Sequence, residues 1–173
     1  MNIPINTEKK LGDQVIELIR AKLDDFTWID EVYPAAKVMT RDNSETYPGV
    51  YVQAGNKKIL DLTPKTSLKS YVFFEKRDPY NISYQVGEKN TYNLSLIFWG
   101  QMNQIDKTKE YDYTDELVKE IVEVLRTFSV TGIQVYFDNV FSRYTLHNSE
   151  KQMFMYPYSA FKIDFTIKGK SCI

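Results

Sequence analysis

Apolar residues recur at every second position through 92–99, where Tyr92, Leu94, Leu96 and Phe98 fall on one side of a strand. Trp99 and Gly100 end it, and a polar link rich in Gln, Asn, Lys and Asp follows. The period then changes. Leu117, Val118, Ile121, Leu125 and Phe128 lie on one stripe of a helix, with Asp112 placed to cap it. Such a stripe, on a helix fed by a strand, is expected to be buried against a sheet. After the helix, Phe161, Ile163, Phe165 and Ile167 alternate through 159–168, which predicts a strand that closes the sheet.

The rest of the chain supplies weaker signals. Residues 1–6 read as a flexible N-terminal arm and Thr7 as a helix cap. Over 8–25, Leu11, Val15, Leu18, Ile19 and Leu23 recur at helical spacing, and Gly12 weakens the pattern by about 1 kcal/mol relative to Ala. Residues 30–48, with Pro34 and Pro48, read as a long connection holding one short strand at 36–39. Strands are expected at 50–54 and 68–75, with a turn at Gly55-Asn56 and a short apolar pair at 59–62 leading into Pro64. The 68–75 segment is apolar on both faces, with Val72 and Phe74 on one and Tyr71 and Phe73 on the other. Lys76-Arg77-Asp78-Pro79 reads as a turn, 80–86 as a strand, and 87–90 as a hairpin connection to the strand at 92–99. Gly132 is placed to release the second helix, with strands at 133–138 and 140–146 around Asp138-Asn139 and a loop at 147–158. The expected fold class is α+β: a mostly antiparallel sheet with two helices packed on one face, in a single domain spanning 1–173. At least one edge of that sheet is expected to be open to another chain.

Composition sharpens this picture at one point. Hydrophobic residues make up 43% of the 173, enough for a core and too many for global disorder. Charge is balanced, with 22 Lys and Arg against 23 Asp and Glu, which argues against a dedicated nucleic-acid binder. Aromatic residues reach 14%, led by 13 Tyr, a residue that suits strands and half-exposed interfaces equally. Cys172 stands alone, so no internal disulfide is expected. The first residues lack a signal-peptide core, and no apolar run approaches the roughly 18 residues of a membrane span. A cytoplasmic place of synthesis and no membrane partner are therefore expected. The sequons at Asn81 and Asn93 then carry no glycan.

Residues that would carry a reaction are scarce. His147 is the only histidine and stands in the polar turn Leu146-His147-Asn148-Ser149, a surface position unless partners converge on it. One His and one Cys do not complete a zinc site. Carboxylates gather at Asp106, Glu110, Asp112, Asp115 and Glu116, yet an EF-hand counted from Asp106 would put Tyr111 at the Gly position and Leu117 at the Glu position. Acids at a helix start are accounted for by the helix dipole. Gly49, Gly55 and Lys57 lack the spacing of a phosphate loop. No catalytic, cofactor or metal residue is predicted, and the chain is not expected to be an enzyme. An enzyme with dispersed carboxylates would need two of them to converge in one cleft.

The order of elements resembles that of tailed-bacteriophage tail terminator and tail completion proteins, a class of neck and head–tail connector components. The pattern is an opening helix, a strand after Pro48, a hairpin ending in Phe98-Trp99-Gly100, a helix from Asp112 and closing strands. It spans roughly residues 8–169 and includes no specific motif; segments 30–48, 56–70 and 147–158 are longer than usual. The resemblance implies a virion structural protein that forms a ring, commonly sixfold. That ring caps the tail tube and joins it to the head-side connector, and DNA only passes through its lumen. Under that reading Tyr80, Tyr84, Trp99, Tyr111, Phe154, Tyr156 and Tyr158 are the expected protein-interface residues. The acidic stretch 106–116 would face the lumen. The alternative is a non-enzymatic binding module that uses the aromatic sheet and loops for a peptide or small ligand.

Overall fold

The protein's structure, a computed structural model, describes residues 12–51, 58–81 and 89–170. Helix α1 (Asp13–Leu23) leads into strands β1 (Glu31–Ala35), β2 (Lys37–Thr40), β3 (Thr46–Tyr51) and β4 (Ile59–Asp61), then the long strands β5 (Ser70–Asn81) and β6 (Lys89–Gln101). A single turn α2 (Met102–Ile105) precedes helix α3 (Thr114–Arg126) and strand β7 (Val130–Tyr136). A turn α4 (Asn148–Lys151), a 3-10 turn Gln152–Phe154 and strand β8 (Tyr158–Lys170) complete the order. The main sheet runs β1-β5-β6-β8-β7, antiparallel except for the parallel pair β1–β5; β2-β3-β4 form a second, antiparallel sheet. The fold is α+β, as the pattern of periods predicts.

Period two sorts the main sheet into two cores. Tyr92, Leu94, Leu96 and Phe98 of β6 join Val72 and Phe74 of β5 and Phe161, Ile163, Phe165 and Ile167 of β8 on one face. Helices α1 and α3 cover that face with Ile16, Ile19, Leu23, Leu117, Ile121 and Leu125. Tyr71, Phe73, Ile97, Trp99 and Ala160 point the other way and pack on Tyr33, Val50, Leu62, Val140, Phe141 and Tyr144. The second sheet and the segment after β7 thus form a third layer.

Burial of one large aliphatic or aromatic side chain is worth roughly 1.5–3 kcal/mol. The stripe of α3 therefore outweighs its polar signals, each worth about 0.3–1 kcal/mol. Those signals still gather at its start, although the N-cap residue is Tyr113, which makes no side-chain cap, and the expected cap Asp112 stands one residue earlier. Asp112 Oδ1 accepts hydrogen bonds from the Thr114 N–H (3.0 Å) and hydroxyl, and Asp115 and Glu116 lie in the first turn. Helix α1 is fastened by buried Arg20, whose Nε donates to the Val32 carbonyl (2.9 Å) while Nη1 pairs with Glu17 (2.8 Å).

Several expectations need correction. Residues 31–35 form a strand despite Pro34, because β1 is an edge strand where a missing N–H is tolerated. Residues 76–79 do not turn; β5 continues to Asn81, and Arg77 pairs opposite Asn93. Residues 140–146 form turns, not a strand, and bury Val140, Phe141 and Tyr144 against the sheet. The chain leaves α3 at Ser129, which takes the left-handed conformation (φ 55°), while Gly132 (φ 65°) sits inside β7 at a break in its pairing with β8. Strand β8 lies between β6 and β7, so β7 and not β8 closes that side of the sheet. On α1, Leu18 is exposed and Ile16 takes its place in the buried stripe. The segment 147–158 contains two short helical turns where a loop is expected. The expected arm at 1–6, Thr7, Leu11, the Gly55-Asn56 turn and most of the 80–86 strand lie outside the described residues, as do residues 87 and 88 of the expected connection, whose Lys89 and Asn90 already belong to β6.

Candidate functional site: an aromatic and acidic cleft beside a sheet edge

The start of α3, the end of β7 and the start of β8 meet around an open cleft of about 360 Å³. Phe137, Phe154, Tyr156 and Tyr158 supply its aromatic lining, and Asp112 and Asp115 its acidic side. Sequence position gives little hint of this meeting, because the segments are about 20 residues apart or more. The sheet produces it: β8 pairs with β7 on one side and β6 on the other, which brings Tyr158 next to Gln101 and Tyr136 next to Lys162.

The cleft floor is held by hydrogen bonds. The Thr114 hydroxyl donates to Asp112 Oδ1, which leaves the buried Ser159 hydroxyl to donate to Thr114 Oγ1 at 2.7 Å. The Met102 N–H donates to the Pro157 carbonyl (2.7 Å) and the Tyr158 N–H to the Met155 carbonyl (2.9 Å). Trp99 supports the aromatic side from below. Its Nε1 donates to the Met153 carbonyl (2.8 Å), and its ring stacks on Tyr158 with centroids 5.7 Å apart. Phe154 is braced by Phe141 at 5.4 Å.

The expected interface residues divide accordingly. Phe154, Tyr156 and Tyr158 come together in the cleft, with Tyr156 56% exposed and the other two half-buried. Trp99 is fully buried, so its indole offers no contact surface; the end of β6 lies under the 3-10 turn and not at a loop tip. Tyr111 is exposed but does not line the cleft. Its hydroxyl donates to Glu116 Oε1 (3.0 Å), and that hydrogen bond raises its pKa above the ordinary phenol value. Tyr80 lies on β5, and Tyr84 lies outside the described residues. Phe137, 51% exposed and just past β7, is the residue that sequence reasoning missed. The aromatic pair Tyr136-Phe137 at the end of the expected strand, just before the Asp138-Asn139 turn, was its available signal.

The acidic stretch is local structure for the most part. Asp106 accepts from the Thr108 hydroxyl (2.6 Å) and N–H (2.9 Å), and these hold its pKa below the usual carboxylate value. Glu116 is lowered first by its hydrogen bond from Lys109 and then by Tyr111. Asp112 and Asp115 form no ion pair within the described residues. His147 lies 3.2 Å from Glu45, next to the small sheet, and does not line the cleft. Among the described residues no group of His, Cys, Asp and Glu is arranged to hold a metal ion, and no helix is long and apolar enough to cross a membrane.

Beside the cleft runs β7, which pairs only with β8 among the described residues. Its Thr131, Gly132, Gln134 and Tyr136 are exposed, and Met155 stands 70% exposed next to the cleft residue Tyr156. Comparison of the chain with protein-family models, with curated proteins and with solved structures finds no match in any of the three.

Proposed function

We propose that this chain is a bacteriophage virion structural protein of the neck or tail, forming a ring that caps the tail tube and joins it to the head-side connector. The observation that carries the reading is the edge of β7 with exposed aromatic residues at its end. Helices cover one face of the main sheet, and the second sheet with the 138–154 segment covers the apolar part of the other. That leaves an edge as the natural place for a neighbour to pair. A ring uses one patch against a different patch of the next copy, closing by rotation. Edge β7, with Thr131, Gly132, Gln134 and Tyr136 exposed, is one such patch; β1 ends the sheet on the other side, but its residues are half-buried or buried and Arg20 holds its Val32 carbonyl. The order of elements quoted above supports the same reading, and the virion, assembled in a bacterial cytoplasm, is the proposed location.

Light scattering and electron microscopy of the purified protein, alone and with tail-tube subunits, test it. Closed rings are the expected result. A monomer under every condition, with no affinity for tube or connector proteins, overturns it. The alternative, a non-enzymatic module for a peptide or small ligand, draws on the cleft, and ligand binding by a permanent monomer would favour it.

A further inference from the structure

The cleft has two unlike walls. On one side Phe137 and Tyr156 stand more than half exposed, a state that large aromatic side chains leave when a partner covers them. On the other side Asp112 and Asp115 carry negative charge that no cation of the described residues neutralises. Their neighbour Glu116 differs: Lys109 is bound to it and also lies 4.5 Å from the Tyr113 ring. The chain thus pairs a carboxylate and an aromatic face with one cation just outside the cleft; inside it Asp112 accepts only from Thr114, and neither Asp115 nor the aromatic wall has a cation of the described residues.

We infer that the cleft receives an arginine side chain presented by an extended segment of a partner protein. Charge complementarity selects a cation, and the aromatic wall selects a flat one. A guanidinium stacks on Tyr or Phe while its N–H groups fork onto carboxylates, which an ammonium ion does less well. The volume, about 360 Å³, suits one long side chain with its flanking backbone and is at the small end for a free ligand. The floor is already set by the Thr114–Ser159 and Trp99–Met153 hydrogen bonds, so little ordering is needed on binding. The segment would arrive next to β7, so main-chain pairing at the edge and side-chain capture in the cleft can act together. This inference deepens the assembly reading and rests on it only for the source of the segment.

The test is titration of the full chain with the peptide acetyl-Gly-Gly-Arg-Gly-Gly-amide, followed by NMR, against the same peptide with citrulline in place of arginine. Citrulline keeps the shape and removes the charge. Millimolar binding that moves the Tyr156 and Phe137 ring signals is expected, weaker by about fivefold or more for the citrulline peptide and for Asp115→Asn. Phe137→Ala, at a half-exposed position, should weaken it by a similar factor without loss of fold. Equal binding of the two peptides, or no movement of those rings, overturns the inference. Light scattering on the same samples separates it from the assembly reading. Arginine capture by a permanent monomer leaves the cleft assignment standing and removes the ring; rings that ignore the peptide and tolerate Asp115→Asn do the reverse.

Discussion

The Tyr144 hydroxyl donates a hydrogen bond to Glu75 Oε1, joining a turn to the middle of β5 across 69 residues of chain. Arg143 Nη1 meets the other oxygen of the same carboxylate at 3.2 Å. Glu75 is 3% exposed, so these two contacts account for a charge that would otherwise be buried without compensation. They also pin the 138–144 segment, whose Phe141 braces Phe154 in the cleft.

Removing either partner should therefore loosen that segment. Glu75→Ala is expected to cost about 1–3 kcal/mol, because it strands the Tyr144 hydroxyl while half-exposed Arg143 returns to water. Tyr144→Phe, which leaves Glu75 with Arg143 alone, should cost a similar amount. Urea unfolding midpoints measure both, and no change in either would remove this pair from the account of the third layer.

Two glycines should respond to alanine for different reasons. At Gly132 a Cβ meets nothing within 4 Å, so only its left-handed backbone (φ 65°) is at stake, and Gly132→Ala should cost about 1–2 kcal/mol. Gly132→Asn should recover part of that, since Asn tolerates this conformation. At Gly100 a Cβ would come within 2.6 Å of the buried Phe98 ring and 2.9 Å of Ile105, so Gly100→Ala should cost about 1–3 kcal/mol through overpacking. There Asn should be worse than Ala. Thermal unfolding of the four variants distinguishes the two mechanisms.

Buried phenols set the alkaline limit of stability. Desolvation raises the Tyr33 pKa from 10.0 to about 12, with Glu31 adding to it. Desolvation also raises Tyr71, whose hydroxyl donates to the Leu62 carbonyl at 2.7 Å, and Tyr144 beside Glu75. These groups keep their protons in the folded chain at pH values where the unfolded chain has released them. The folded state then binds more protons, so stability is level below pH 10 and falls as pH rises through about 12. Unfolding free energies measured across that range, with phenolate absorbance as a second readout, should fall together. Tyr71→Phe should make the decline shallower.

Phe137→Asp tests the edge without testing the core. The residue is 51% exposed, so stability should change by about 0.5 kcal/mol or less. Assembled mass should drop sharply if the end of β7 meets a neighbouring copy. Unchanged mass in a sample that forms rings would place the contact elsewhere.

The sequence by itself determined the two main periods and hence the fold class. Tyr92, Leu94, Leu96 and Phe98 share one face, and Leu117, Ile121 and Leu125 form one stripe, because local geometry fixes where successive side chains point. The doubly apolar run at Tyr71–Phe74 even signalled that β5 is covered on both sides. Local signals failed where partners decide. Pro34 is harmless only because β1 is an edge, and residues 140–146 turn because the sheet beneath them, not a neighbouring strand, buries Phe141 and Tyr144. The cleft was legible only in part: Phe154, Tyr156 and Tyr158 stood out as aromatic residues in a connecting segment and Asp112 and Asp115 as acids at a helix start, but Phe137 did not. Only the tertiary structure brings them together, since strand order places β7 next to β8, and no property of an isolated segment encodes which strand will be its neighbour.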